Sequence, residues 1–389
     1  MSNLTDILEG PALDPPPGEV SDFANPGGSH SLGYGIVILT GVLASLTVFI
    51  RLVTRHSLRN IQIEDAFLII ALGLFAGLEY VNYAGSISPG VKVHQWNVQF
   101  KYLERWQYLL HLASIFYGLT VMFLKLAILV DWLHIFVPLG QRNAIFWTIH
   151  TLIWCNIIYY VSGTFIEIFR CTPRQKFWDP LFEDGSCPVN IEANNFSSGI
   201  LNLISNLAIL AVPQWVIWNL QMTTAKRAGI SFLFLIGIFA IACGVARIIY
   251  LSKVLDANDA TYYLSLVGLW GLGEVAAGFM IMGIPALPRA TKMIPFSESV
   301  ALLLRPWTKR EVSSIHERSN LPHWRRPFSR KRRGLWDITD LESRDLITMN
   351  SMNPGDSSSA NNVTNEVLMV LGTDKDLVVT SPHRVPGEC

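Results

Sequence analysis

Ionisable side chains that the sequence surrounds with apolar residues are the ones that can do chemistry here. Each costs several kcal/mol inside a membrane unless it is paired or hydrated. Glu274 stands in the apolar run Leu264–Met282. It is a candidate anchor for a ligand, a proton relay, or a tie between helices. Asn202 and Asn206 stand four residues apart, on one helical face, in another apolar run, and can hydrogen-bond such a carboxylate. Glu79, with Tyr80, Asn82 and Tyr83 nearby, is a second buried carboxylate that can line a cavity or simply pack. Arg51, Glu64, Asp65 and Lys125 form a further charged set, suited to a structural latch. Either Glu274 or Glu79 is a candidate general acid, since burial raises a carboxyl pKa. No nucleophile–base pair, zinc-spaced Cys/His cluster or phosphate-binding glycine loop accompanies them.

The elements that hold these residues are long and apolar. Half of the 389 residues are apolar and 15% are charged, against roughly 25% charged in a soluble chain. Seven stretches reach the ~20 residues needed to cross ~30 Å of hydrocarbon. They lie near 32–52, 65–88, 107–130, 145–168, 196–218, 228–250 and 262–285. The runs are continuous rather than alternating, so they are helices and not barrel strands. The fold class is therefore all-α, a seven-helix membrane bundle. Residues 1–31 precede it as an extracytoplasmic segment, 32–292 form the membrane domain, and 293–389 form a basic, mostly disordered cytoplasmic tail. Pro213 is expected to kink the fifth helix.

Orientation follows from the distribution of Lys and Arg. The segment before the first helix has five acidic residues and no Lys or Arg, and the loop after it carries Arg51, Arg55 and Arg59. The N-terminus is expected outside and the tail inside, in a multi-pass protein of the plasma membrane rather than an internal one. Cys171 and Cys187 then flank an outer loop where a disulfide can persist. Asn3 begins a glycosylation sequon on the correct side. The basic cluster Arg325–Arg333 is either a solvated flank or a contact for anionic lipid, and 296–304 is a candidate surface helix. Cys155 and Cys243 read as packing residues, and Glu167, Arg247, His111 and His150 as interface or packing residues.

Rise along the helix sets expected depths. Glu274 falls about 18 Å from the outer surface, near the midplane, with Asn202 and Asn206 at similar depth. Lys125 falls about 27 Å from the outer end of its helix, at the inner interface, where its ammonium can snorkel or join Arg51, Glu64 and Asp65.

Several pieces of this sequence, taken in order, resemble the fungal rhodopsin-domain family. They are Arg51 followed by Glu64 and Asp65; KLAILVDWLHIF from Lys125 to Phe136; CTPRQKFWDP…GSC from Cys171 to Cys187; VPQWVIWNLQM followed by Lys226; GLWGLGEV from Gly268 to Val275; and Pro285–Leu287. The family includes receptor-like surface sensors of plant-pathogenic fungi and membrane proteins of mycotoxin gene clusters. The chain departs from the family pattern at His134, where Arg is usual, and at Asn206, where Asp is usual. The cysteine-rich N-terminal module of some members is absent, which favours the gene-cluster type.

No cofactor is expected: a retinal Schiff base needs a Lys in the seventh helix, and 262–285 has none. The Asp-Arg-Tyr and Asn-Pro-x-x-Tyr signatures of common G-protein-coupled receptors are also missing, so topology alone permits a G protein partner. Nothing points to nucleic acid. The leading expectation is a receptor-like protein binding a small apolar ligand in the bundle. The alternatives are a membrane-embedded cyclase or isomerase of secondary metabolism, with Glu274 or Glu79 as general acid, and a metabolite exporter. The last is disfavoured because no internal repeat is evident.

Overall fold

The computed structural model describes residues 2–287, apart from 60, 138–142, 180, 183, 220–223 and 258. The candidate surface helix at 296–304 and the basic cluster Arg325–Arg333 lie outside the described residues. A short helix, α1 (Ser2–Glu9), precedes seven long ones: α2 (His30–Ser57), α3 (Ile63–Ile87), α4 (Leu103–Phe136), α5 (Ala144–Ile168), α6 (Ile191–Asn219), α7 (Thr224–Ala257) and α8 (Ala260–Gly283). All seven are long and apolar enough to span a bilayer. Among the described residues there is no β-strand, only two isolated bridges. The protein is an all-α, seven-helix, multi-pass membrane protein.

The helices are longer than the apolar windows suggested. α4 extends six residues (136 − 130) past its expected end and α7 seven (257 − 250). A hydropathy window marks only the part in hydrocarbon, whereas hydrogen bonding continues until a turn signal ends the helix. This difference changes the depth of two charged residues described below.

Burial separates core helices from peripheral ones. At least half of the most apolar window of α4 and of α8 is buried, 50% and 56%, against 17–28% for the other five. α4 and α8 therefore form the centre, wedged by Leu68, Phe75, Ala127, Leu129, Leu272 and Phe279. Small residues allow the close approach that apolar solvent cannot drive. A Cβ at Gly278 would lie 2.5 Å from Leu124 Cδ2, and one at Gly283 2.6 Å from Thr47 Cβ. The outer faces carry exposed Ile38, Val42, Phe49, Trp154, Ile158 and Phe165, a surface suited to lipid. Thr40, Thr47 and Thr54 return their hydroxyls to carbonyls four residues back, which satisfies these polar hydrogens within the helix.

One end of the bundle is capped. There the Cys171–Cys187 disulfide closes the α5–α6 connection. The α3–α4 connection folds over the same end, and the N-terminal segment hydrogen-bonds to it through Ala12, Ser29 and Phe100. His94 is stacked between Trp96 and Tyr262 and bonded to Asp259 at 2.6 Å, which ties that connection to the start of α8. Asn3 lies in α1 at this disulfide end.

Candidate functional site

Two polar clusters interrupt the apolar interior, one at mid-depth and one at the end opposite the disulfide. The mid-depth cluster is centred on Glu274 of α8, 5% exposed. Its Oε2 accepts from the Tyr117 hydroxyl of α4 at 2.9 Å. Its Oε1 accepts from the Asn202 and Asn206 amides of α6, each at 2.6 Å. Four residues separate the two amides, so one helical face presents both to the same oxygen. Arg247 of α7 brings Nε to 3.5 Å from Oε2 and lays its guanidinium 4.7 Å over the Tyr117 ring. That is an ion pair and a cation–π contact without a hydrogen bond between the charged groups.

Lys125 belongs to this cluster and not to the charged network expected at the inner surface. Its Nζ donates to Asn202 Oδ1 at 2.8 Å and lies 5.4 Å over the Tyr160 ring, with the residue 5% exposed. α4 runs eleven residues (136 − 125) beyond Lys125, about 16 Å of rise, which is too far for the ammonium to snorkel out. Arg247 is corrected for the same reason: α7 continues ten residues (257 − 247) past it, so it is an interior residue and not an interface anchor. Tyr160 completes the cluster, donating to Asn202 Oδ1 at 2.6 Å. Asn202 thus connects Lys125 to the carboxylate: its amide nitrogen serves Glu274 and Tyr117, and its oxygen serves Lys125 and Tyr160.

A cavity of about 470 Å³ rests on this cluster, within the ~300–1,000 Å³ range of small-molecule sites. Its floor includes Tyr117, Tyr160, Asn202 and Arg247, its walls include Leu78, Val81, Trp106, Leu110, Leu251 and Leu269, and its upper rim reaches Arg170 and Phe177 beside the disulfide loop. Ser162, Gly163 and Ile166 of α5 and Ser197 and Leu201 of α6 line the cavity and are exposed. They all belong to the membrane-spanning stretches of those helices. A smaller cavity of about 70 Å³ lies beyond the polar cluster, lined by Lys125, Asn206, Glu274 and Gly278.

At the rim, Arg170 pairs with Glu167 and stacks over Phe177 at 5.2 Å. Burial lowers the Arg170 pKa, and Glu167 beside it offsets part of that. His111 lies 3.6 Å from the other Glu167 oxygen.

Glu79 is not in the cavity wall. Its Oε1 accepts from Thr40 of α2 at 3.1 Å, and its Oε2 lies against Gly41. The cavity face of α3 carries Leu78, Val81, Asn82 and Gly85, and Glu79 sits one step round from it. Tyr80 and Tyr83 point outward, 68% and 44% exposed. Of the residues expected beside Glu79, only Asn82 reaches the cavity.

The second cluster joins four helices at the end opposite the disulfide. Arg51, 3% exposed, donates Nε to Asp65 at 3.0 Å, Nη2 to Asp131 at 2.6 Å and Nη1 to the Met282 carbonyl at 2.8 Å. Arg55 bridges Glu64 at 3.2 Å and Asp131 at 3.0 Å. His134 stands 3.4 Å from the remaining Glu64 oxygen. The planar guanidinium of Arg51 serves three acceptors at fixed angles, which an ammonium cannot do. Sequence reasoning missed Asp131 and Arg55 as members here, and Tyr117 and Tyr160 above. Tyr117 and Lys125 are eight residues apart on one face of α4, a spacing that could have grouped them.

Comparison with known proteins supplies kinship. The fungal rhodopsin domain matches residues 50–293. The chain is 33% identical to the fugralins biosynthesis cluster protein 2 of Gibberella zeae over 73% of this chain and 71% of that protein. It is 29% identical to a SAT4 family membrane protein of Emericella nidulans over 59% of this chain, spanning 57% of that relative. It is 23% identical to the satratoxin biosynthesis SC1 cluster protein 4 of Stachybotrys chartarum over 33% of this chain and 50% of that relative. No solved structure matches.

Proposed function

The chain belongs to the fungal rhodopsin domain family, and from that premise we propose that it is a receptor-like membrane protein. In this reading it takes a lipophilic small molecule from the bilayer into the cavity between its helices. One observation carries the reading. The 470 Å³ cavity is lined by exposed residues of α5 and α6 within their spanning stretches and ends on a buried polar cluster. An opening at that depth suits a molecule already dissolved in lipid, and the floor offers hydrogen bonds to fix its orientation. Two of the relatives are named for biosynthesis clusters, which supports a metabolite of specialised metabolism as the ligand. The proposed orientation places the disulfide end outside and the Arg51 cluster inside, at the plasma membrane. α8 carries both Glu274, which lies under the cavity floor and holds Tyr117 and Asn202 of it, and the Met282 carbonyl held by Arg51. A ligand that shifts α8 would therefore bear on the inner ion network, which is the element through which occupancy would be read out.

The test is co-purification. Protein isolated from its host in lipid nanodiscs would be extracted and its bound small molecules identified by mass spectrometry, alongside Gly163→Phe. A Cβ at Gly163 meets nothing within 4 Å, so the ring fills the opening without disturbing the core. The reading requires a lipophilic compound enriched on wild type and depleted on the variant. Equal amounts on both proteins, or none on either, would sink it.

One observation favours an enzyme. The Tyr117 hydroxyl lines the cavity and donates to Glu274, with Arg247 over its ring. The Tyr117 proton is donated to Glu274 in this arrangement, so an isomerase or cyclase using Tyr117 as acid would redirect that hydroxyl from Glu274 to the bound substrate. Metabolite profiles of null and Tyr117→Phe strains decide between the two. One precursor accumulating in both means an enzyme. A diffuse change in the null with a silent Tyr117→Phe means a receptor.

A further inference from the structure

The charges at the cavity floor do not balance, and the imbalance names the ligand's headgroup. Arg247 is 7% exposed, its side chain lines the cavity, and its Nε and Nη2 have no hydrogen-bond partner. The carboxylate nearest to it is already committed: the two oxygens of Glu274 accept from Tyr117, Asn202 and Asn206. Lys125, the other cation of the cluster, has its acceptor in Asn202. Arg247 is thus the cation of the floor that lacks one. Among the ionisable residues of the cavity wall, the carboxylate is Glu167, and it is paired with Arg170 at the rim. The deep part of the cavity is therefore bounded by a desolvated guanidinium whose hydrogen bonding is incomplete, its Nε and Nη2 enclosed by the surrounding side chains.

We infer that the ligand of this site is an amphipathic monocarboxylic acid. Its carboxylate pairs with the cavity-lining guanidinium of Arg247, which turns its enclosed, unpartnered N–H groups to the ligand, and its apolar body lies along Leu251, Leu269 and Trp106 towards α5 and α6. A planar fork facing a carboxylate is the pairing in which a buried guanidinium is best satisfied. Glu274, 3.5 Å from the guanidinium, already offsets part of its charge, so a monoanion fits the floor better than a dianionic phosphate. Arg247 is then the residue that selects an acid over its ester or alcohol. The inference rests on the ligand-binding reading above and adds the headgroup to it.

The experiment is competition photolabelling of the full chain in nanodiscs. A ten-carbon alcohol bearing a diazirine is the probe, and labelled peptides are mapped by mass spectrometry. Decanoic acid, methyl decanoate and decyl phosphate are the competitors, compared at equal concentration in the membrane. Decanoic acid should displace label from the cavity peptides of α4 and α7 at about tenfold lower concentration than its methyl ester, the worth of one charge-assisted hydrogen bond. Arg247→Gln should abolish that difference while the ester still competes. Arg247→Lys, which keeps the charge but not the fork, should retain a reduced preference and serves if Arg247→Gln does not fold. Equal competition by acid and ester on wild type overturns the headgroup assignment and leaves the cavity as a binding site. Stronger competition by decyl phosphate also overturns it. Absence of any saturable cavity label overturns the headgroup assignment and the ligand-binding reading together.

Discussion

Glu274 is held by three hydrogen bonds and one ion pair, so its charge is part of the architecture of the bundle. Glu274→Gln removes the charge at nearly constant volume and leaves Arg247 and Lys125 buried without a carboxylate. The expected cost is about 3 kcal/mol, as for other broken buried pairs, read from thermal unfolding in detergent. Adding Arg247→Met should recover part of that loss, because removing both charges of a buried pair costs less than removing one. A double variant no more stable than the single one would show that Glu274 answers to Lys125 and the amides instead. The sequence made Glu274, Asn202 and Asn206 legible, because each is a polar residue in an apolar run. It did not reveal their partners: Tyr117 and Tyr160 are ordinary aromatic residues within expected spans, Arg247 lies near an expected helix end, and only the bundle places their tips around one carboxylate.

At the scale of the helices, position along the axis decided which charges meet. Counting from the ends of the apolar windows put Lys125 and Arg247 at interfaces, and the extra turns of α4 and α7 put them inside. Glu79 shows the complementary limit. Its face was not legible, since one step round α3 separates the cavity wall from the α2 contact with Thr40. The Arg51 cluster belongs to this scale because it joins α2, α3, α4 and α8. Arg51→Leu should destabilise the bundle by about 3–5 kcal/mol by leaving Asp65 and Asp131 unpaired. Arg51→Lys should restore little, since one ammonium cannot span three acceptors. Chemical unfolding monitored by tryptophan fluorescence would rank the two. Gly278→Leu should cost about 1–3 kcal/mol by forcing α8 from Leu124. Full stability in that variant would contradict the close α4–α8 contact.

At the scale of the whole molecule, the sequence carried most of the fold, because hydrocarbon thickness leaves a chain this apolar one way to satisfy its backbone. The cavity was not legible. Its walls come from six helices, and the α5–α6 opening proposed for it is a property of spacing rather than of any residue type. The disulfide was legible as a pair of cysteines flanking a loop. Replacing Cys171 and Cys187 by Ser should cost about 3 kcal/mol, the chain-entropy value for a loop of this length, and thermal unfolding with and without reductant would measure it. The central claim is that a lipid-soluble molecule reaches the polar floor through the α5–α6 opening. Its most direct test is the rate at which the ten-carbon diazirine alcohol, preloaded in the membrane, labels the Tyr117 peptide in wild type and in Gly163→Phe. The account predicts labelling at least tenfold slower in Gly163→Phe, with label on the lipid-facing peptide around Trp154 unchanged. Equal rates at Tyr117 would contradict it, because the cavity would then be filled by another route.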